Sequence, residues 1–230
     1  MHKLRENFEE MISFENVKWD DVWEETVATL YMTGFSTLFT FILGLILGII
    51  LFLSGRAESR VIHVIYTITS FFVNLFRAIP FIVLIILLIP FTAEIMGTIM
   101  GVKGALPALI ISAAPFYARL VEIALKEIDK GVIEAAQSMG ANIWQIIIKV
   151  LIPESLPALI SGITVTAIML VGATAIAGVI GAGGLGTLAY MVGFTRGQPD
   201  VTLVATIAIL IIVFAIQFLG DFTSKAVDKR

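Results

Sequence analysis

Long uncharged stretches alternate with short charged ones along this chain. The first runs from Thr26 to Gly55 without a charge, and a second, Val61 to Thr92, is interrupted only by Arg77. A third spans Gly104 to Ala118, with a continuation through Arg119 to Leu125; a fourth lies within Ser155 to Ile180 and a fifth runs from Val201 to Gly220. A helix needs about 20 mostly apolar residues to cross roughly 30 Å of hydrocarbon, and these runs are of that order. The ten-residue alternation of a membrane barrel is absent, and a span in lipid must satisfy its own backbone. The pattern predicts an all-α, polytopic membrane bundle of about five transmembrane helices.

Composition agrees and narrows the classes. Of 230 residues, 58% are hydrophobic and 14% charged, with a mean hydropathy of +0.99; soluble domains have about half and about a quarter respectively. A water-soluble single domain is excluded. A net charge of -3 gives no basic field for nucleic acid, and the absence of cysteine removes disulfides and thiolate chemistry. Residues 1–25 carry eight acids against three bases and have no short apolar core with a cleavage site, so they read as an extracytoplasmic N-terminal segment rather than a signal peptide. Trp19 and Trp23 suit an interfacial anchor. Five spans put the termini on opposite sides. Nine bases lie on the C-terminal side against five on the other, Arg77 uncounted, so the positive-inside rule places the N-terminus outside and the C-terminus in the cytoplasm. The expected organisation is a transmembrane domain over 26–220, containing a cytoplasmic loop at 121–157, and a cytoplasmic tail at 221–230.

That loop is too charged to span and too periodic to be a linker. It predicts two short helices. Asp129 caps the first, which ends at Gly140, a residue suited to the left-handed position past a helix C-terminus. Asn142 caps the second, with Gln145 three residues on as a loose capping box, and Pro153 limits it. Ala135 and Ala136 leave room for another backbone to approach, with Glu134 and Gln137 beside them, so the unit has the form of a docking surface.

These residues carry a resemblance. Glu134-Ala135-Ala136, Gly140, Ile152-Pro153 and Leu156-Pro157 resemble the EAA loop of integral permease subunits of bacterial ABC importers. In that family the loop is a coupling helix seated on a separate ATPase, which implies ATPase-coupling roles for Glu134, Ala135, Ala136 and Gly140. Phe76 to Phe81, Leu88 to Thr92, Ala113 to Arg119 and Gly181 to Gly186 are similar to the methionine-importer permeases, over a stretch from about Val22 to the C-terminus. The resemblance implies import of methionine, in L or D form or as a close derivative, across the bacterial cell membrane. The implied partners are two ATPase copies, an extracytoplasmic methionine-binding protein, a second copy of this chain and membrane lipid. A permease for another amino acid or small polar solute is the alternative.

The remaining features fit a transport subunit rather than an enzyme. No G-x-x-x-x-G-K-[ST] phosphate loop occurs, so ATP must be hydrolysed by another chain. Five spans are few to enclose a route, and a two-fold homodimer would double them. Gly181, Gly183 and Gly186 match G-x-G-x-x-G, but they follow a membrane run rather than a strand, so helix packing and a bend are expected there instead of a dinucleotide. Arg119 is expected to snorkel from the third helix, and Arg77 to mark the junction between an interfacial segment, Val61 to Phe76, and a span beginning near Pro80. Met169 is a candidate for the substrate path. His2 and His63 are isolated, so no catalytic residue, metal site or cofactor is expected. An ion-coupled transporter would need buried acids in broken helices, and the second to fifth runs show no convincing deep Asp or Glu.

Overall fold

A computed structural model describes residues 10–56 and 59–228, and the described residues form helices and turns without a strand. His2, Lys3, Arg5, Lys229 and Arg230 lie outside them. The first uncharged run folds as one 37-residue helix, α1 (Trp19–Gly55). Trp19 and Trp23 are exposed near its start, as suits amphipathic rings at a membrane interface.

The second run differs from expectation. It breaks into α2 (Arg60–Ala78), α3 (Phe81–Leu87) and α4 (Ile89–Met96). Proline explains both breaks: Pro80 stands extended ahead of α3, and Pro90 sits in the first turn of α4, where its missing N–H matters least. Arg77 lies inside α2, and no span begins at Pro80, because 7 and 8 residues are too short to cross hydrocarbon. The remaining elements are α5 (Gly101–Lys126), α6 (Lys130–Ser138), α7 (Ile143–Val179), the short α8 (Leu185–Phe194) and α9 (Pro199–Val227). Among the described residues α1, α2, α5, α7 and α9 are each long and apolar enough to cross a membrane.

These helices divide into two compact units, the first of residues 1–38, 79–110 and 167–216 and the second of residues 39–78, 111–166 and 217–230. In the first, Val171, Leu185, Leu188, Val201 and Ala205 form the centre of an apolar core. The glycine turn after α7 is tied to α1 by side chains rather than by a ligand. Glu25 accepts a hydrogen bond from the Gly184 amide, and Thr29 Oγ1 accepts from Leu185 N–H at 2.8 Å. Gly184 has φ 83°, which a residue with a Cβ seldom adopts. The fully buried Asp200, at the start of α9, accepts from the Asn16 backbone N–H at 2.9 Å and so holds the chain ahead of α1.

Further along α1 the hydroxyls of Thr33, Ser36 and Thr37 are buried without a hydrogen-bond partner, whereas Thr29 also donates to the Glu25 carbonyl at 3.0 Å. A buried unpaired hydroxyl contributes nothing for its desolvation, while removing an acceptor orphans a buried N–H at about 1–3 kcal/mol. Ser36→Ala should therefore leave the melting temperature in detergent unchanged or raise it, and Thr29→Val should lower it. A larger loss for Ser36→Ala than for Thr29→Val would contradict this account.

In the second unit, Phe52 of α1, Tyr117, Val121 and Leu125 of α5, and Leu151 and Leu159 of α7 share one core. A Cβ on Gly44 would stand 2.7 Å from Tyr117 Cδ1, so the absent side chain is what lets α1 and α5 cross closely. Tyr117 Oη donates to the Leu159 carbonyl at 3.2 Å, joining α5 to α7.

Two charged residues depart from the sequence expectation. Glu122, inside α5, is only 1% exposed; it accepts from Lys126 Nζ at 2.7 Å and is ion-paired with Arg119. A buried acid is thus present near the end of α5, at the start of the 121–157 stretch, made tolerable by two cations one helical turn to either side. Arg119 does not snorkel. It turns sideways onto α2, donating to Ser70 Oγ at 3.0 Å and Asn74 Oδ1 at 2.9 Å. Arg77 lies over the Phe116 ring, 5.9 Å from its centre.

Candidate functional site

The loop singled out by the sequence is built by two caps facing one turn. Asp129 Oδ1 accepts from Gly131 N–H at 2.6 Å and starts α6. At the other end Gly140 N–H donates to the Gln137 carbonyl at 2.9 Å and Ala141 N–H to the Ala136 carbonyl at 3.1 Å. That pair of bonds is a Schellman closure, and it needs the left-handed φ of 82° that Gly140 supplies. Asn142 then forms a full capping box: its Oδ1 accepts from Gln145 N–H at 3.0 Å, and its own N–H donates to Gln145 Oε1 at 2.9 Å.

The helix that this capping box opens is not short. α7 continues through Pro153 to Val179, so Pro153 does not limit it. Between Ile147 and Leu151 the helix widens to π geometry, with Ile152 N–H bonded to the Ile147 carbonyl. A proline in a regular helix loses a bond and its ring crowds the carbonyl four residues earlier. The wider turn just before Pro153 provides room for the ring. Pro157 also lies inside the helix, and its carbonyl accepts from Ser161 Oγ and Ser224 Oγ at 3.0 and 3.1 Å.

The four motif residues are held together on α6 and its closing turn but do not face one way. Ile133 and Ala136 are buried in the core of the second unit, against residues of α1, α5 and α7. Glu134, Ala135, Gln137 and Ser138 are exposed, as is Gly140. Two large apolar side chains beside the turn are missing from the sequence reading: Met139 is 81% exposed and Trp144 70%. They are the most exposed of several apolar side chains on this stretch, with Val132, Ile143 and Ile148 also exposed. An exposed methionine and tryptophan flanking a rigid turn are apolar contact area of the kind enriched at protein interfaces.

Met169 is not brought to this place. It lies on α7 within the first unit, 37% exposed and outside that unit's core. His63 faces the Tyr66 ring at 5.8 Å, and no cluster of three metal-ligating side chains occurs among the described residues.

Residues 41–230 match the family model described as binding-protein-dependent transport system inner membrane component. The chain is 60% identical over 217 residues to the methionine import system permease protein MetP of Bacillus subtilis, covering 94% of this chain and 98% of that one. It is 44% identical over 212 residues to the probable D-methionine transport system permease protein MetI of Pasteurella multocida, covering 92% and 98% respectively. Among solved structures, an inward-facing conformation of the MetNI methionine ABC transporter aligns with a TM-score of 0.89 at 42% identity, over 94% of this chain and 99% of that one.

Proposed function

Because the chain belongs to the family of binding-protein-dependent transport system inner membrane components, we propose that it is the permease subunit of an ATP-driven importer that carries methionine, in L or D form, across the cell membrane. It is a multi-pass membrane protein, and ATP hydrolysis belongs to a separate subunit, since its sequence holds no phosphate loop. The observation that carries the coupling role is the doubly capped hairpin. It presents Glu134, Ala135 and Met139 outward while Ile133 and Ala136 root α6 in the core of its unit. A rigid helix fixed from behind can transmit a push, whereas a loose loop would absorb it.

In this reading the working assembly has two permease copies, two ATPase subunits and an extracytoplasmic binding protein for methionine. The N-terminal segment lies outside, and the 121–157 loop and C-terminal tail lie in the cytoplasm. Residues 26–220 act as the transmembrane domain. Glu134, Ala135 and Gly140 shape the ATPase contact, Ala136 holds its backing, and Met169 faces the substrate route.

Proteoliposomes containing the permease, its ATPase and the binding protein should take up labelled methionine only with ATP. A reporter fused after Arg230 should read as cytoplasmic, and one near Gly193 as external. Uptake driven by an ion gradient with the permease alone would overturn the proposal, and inverted reporter signals would overturn the orientation.

A further inference from the structure

Beside α6, on the side away from Ala135, the second unit has a groove of about 750 Å³. That is within the roughly 300–1,000 Å³ typical of small-molecule sites. Phe52, Leu53 and Arg56 from the end of α1 form one wall, Lys130 and Ile133 of α6 another, and Ile146 at the start of α7 closes it. Glu134 and Gln137 of α6 also line it. Two features need an occupant. Leu53 and Ile143 offer apolar surface among polar lining groups, and two cations, Arg56 and Lys130, line it without an ion-pair partner among the described residues. The Arg56 guanidinium is exposed and lies 5.1 Å over the Phe52 ring, which places its charge beside the groove.

The position along α1 identifies the class of occupant. Its uncharged run ends at Gly55, so Phe52 and Leu53 stand at the edge of the hydrocarbon and Arg56 at headgroup level. Two such cations beside the apolar edge that Leu53 provides match a molecule with a phosphate at one end and a chain at the other. We propose that this groove binds an anionic phospholipid, with its phosphate between Arg56 and Lys130 and the first part of an acyl chain along Leu53. The bound lipid joins the end of α1 to α6, bracing the coupling hairpin from the membrane. This rests on the proposed function only for the role of α6; the lipid site itself follows from the groove, its charges and its depth.

The test uses the permease purified with its ATPase. Native mass spectrometry compares retention of phosphatidylglycerol and phosphatidylethanolamine with the same acyl chains. The parent should retain phosphatidylglycerol preferentially. Each cation near a membrane surface contributes roughly a factor of five, so an Arg56→Gln, Lys130→Gln double variant should lose about 30-fold in preferential retention. It should keep its ATPase. If the double variant does not insert, Lys130→Gln alone, at an exposed helix position, should still lose about fivefold, and Arg56→Lys with Lys130→Arg should retain the lipid. Unchanged retention in the neutral variants overturns the proposal. So does equal displacement by glycerophosphoglycerol, which has the headgroup without chains. Loss of the ATPase with lipid retention intact also overturns it, because the groove would then belong to the protein interface. Failure of the coupling reading is distinguishable, since it would show in Ala135→Arg, which leaves both cations in place.

Discussion

An Ala135→Arg permease is expected to insert and fold like the parent yet to lose methionine uptake and to hold its ATPase about 10- to 100-fold more weakly, as for a disrupted interface contact of about 1.4–3 kcal/mol. Ala135 is exposed on α6, so the longer side chain meets nothing in its own unit, and arginine is nearly as good a helix former as alanine. The effect therefore arises at whatever approaches that face. Ala136→Arg, one residue on, should fail differently: Ala136 is buried in the core, and an unpaired cation there reduces the yield of folded protein. Gly140→Val tests the turn. A Cβ added at that position would meet only open space, so the penalty is the left-handed backbone alone, about 1–2 kcal/mol. Gly140→Asn should be milder, because asparagine adopts that conformation more readily. The measurements are uptake in proteoliposomes and co-purification of the ATPase. If Ala135→Arg transports and retains its ATPase as the parent does, α6 is not the docking surface.

The largest effect on stability is expected at Glu122. Its carboxylate is 1% exposed and ion-paired on both sides, to Arg119 and Lys126. Glu122→Ala removes the anion but leaves Arg119 with a side chain only 20% exposed. Breaking a buried pair from one side costs about 3–5 kcal/mol, a large part of the stability of most domains. Because Arg119 also reaches Ser70 and Asn74, the seat of α2 should loosen as well. Lys126→Met should cost less than about 1 kcal/mol, because that lysine is 52% exposed and screened. Replacing both Arg119 and Glu122 by leucine should be less damaging than Glu122→Ala, since no orphaned charge remains. Thermal unfolding in detergent separates these cases. A Glu122→Ala variant that melts with the parent would show that the pair carries no net stability.

The sequence by itself determined what short-range chemistry controls. Uncharged runs located the helices long enough to cross a membrane because lipid leaves a polar backbone no other partner. Asp129, Gly140 and Asn142 were legible as caps because each acts on amides or a backbone angle within a few residues. Tertiary structure decided the features in which distant parts of the chain meet. The breaks at Pro80 and Pro90 and the passage of α7 through Pro153 involve the same residue type with opposite outcomes. At Pro153 the chain forms a π-turn and keeps a continuous helix, whose start is packed in the core of its unit. The tie between Glu25 and Gly184 joins residues 159 positions apart, and the bonds from Arg119 to Ser70 and Asn74 join residues 49 and 45 apart. No periodicity marks such partners in advance. The motif also could not say which of Ala135 and Ala136 faces outward, because both are small and adjacent on a helix whose rotation is set by the core into which Ile133 and Ala136 are drawn.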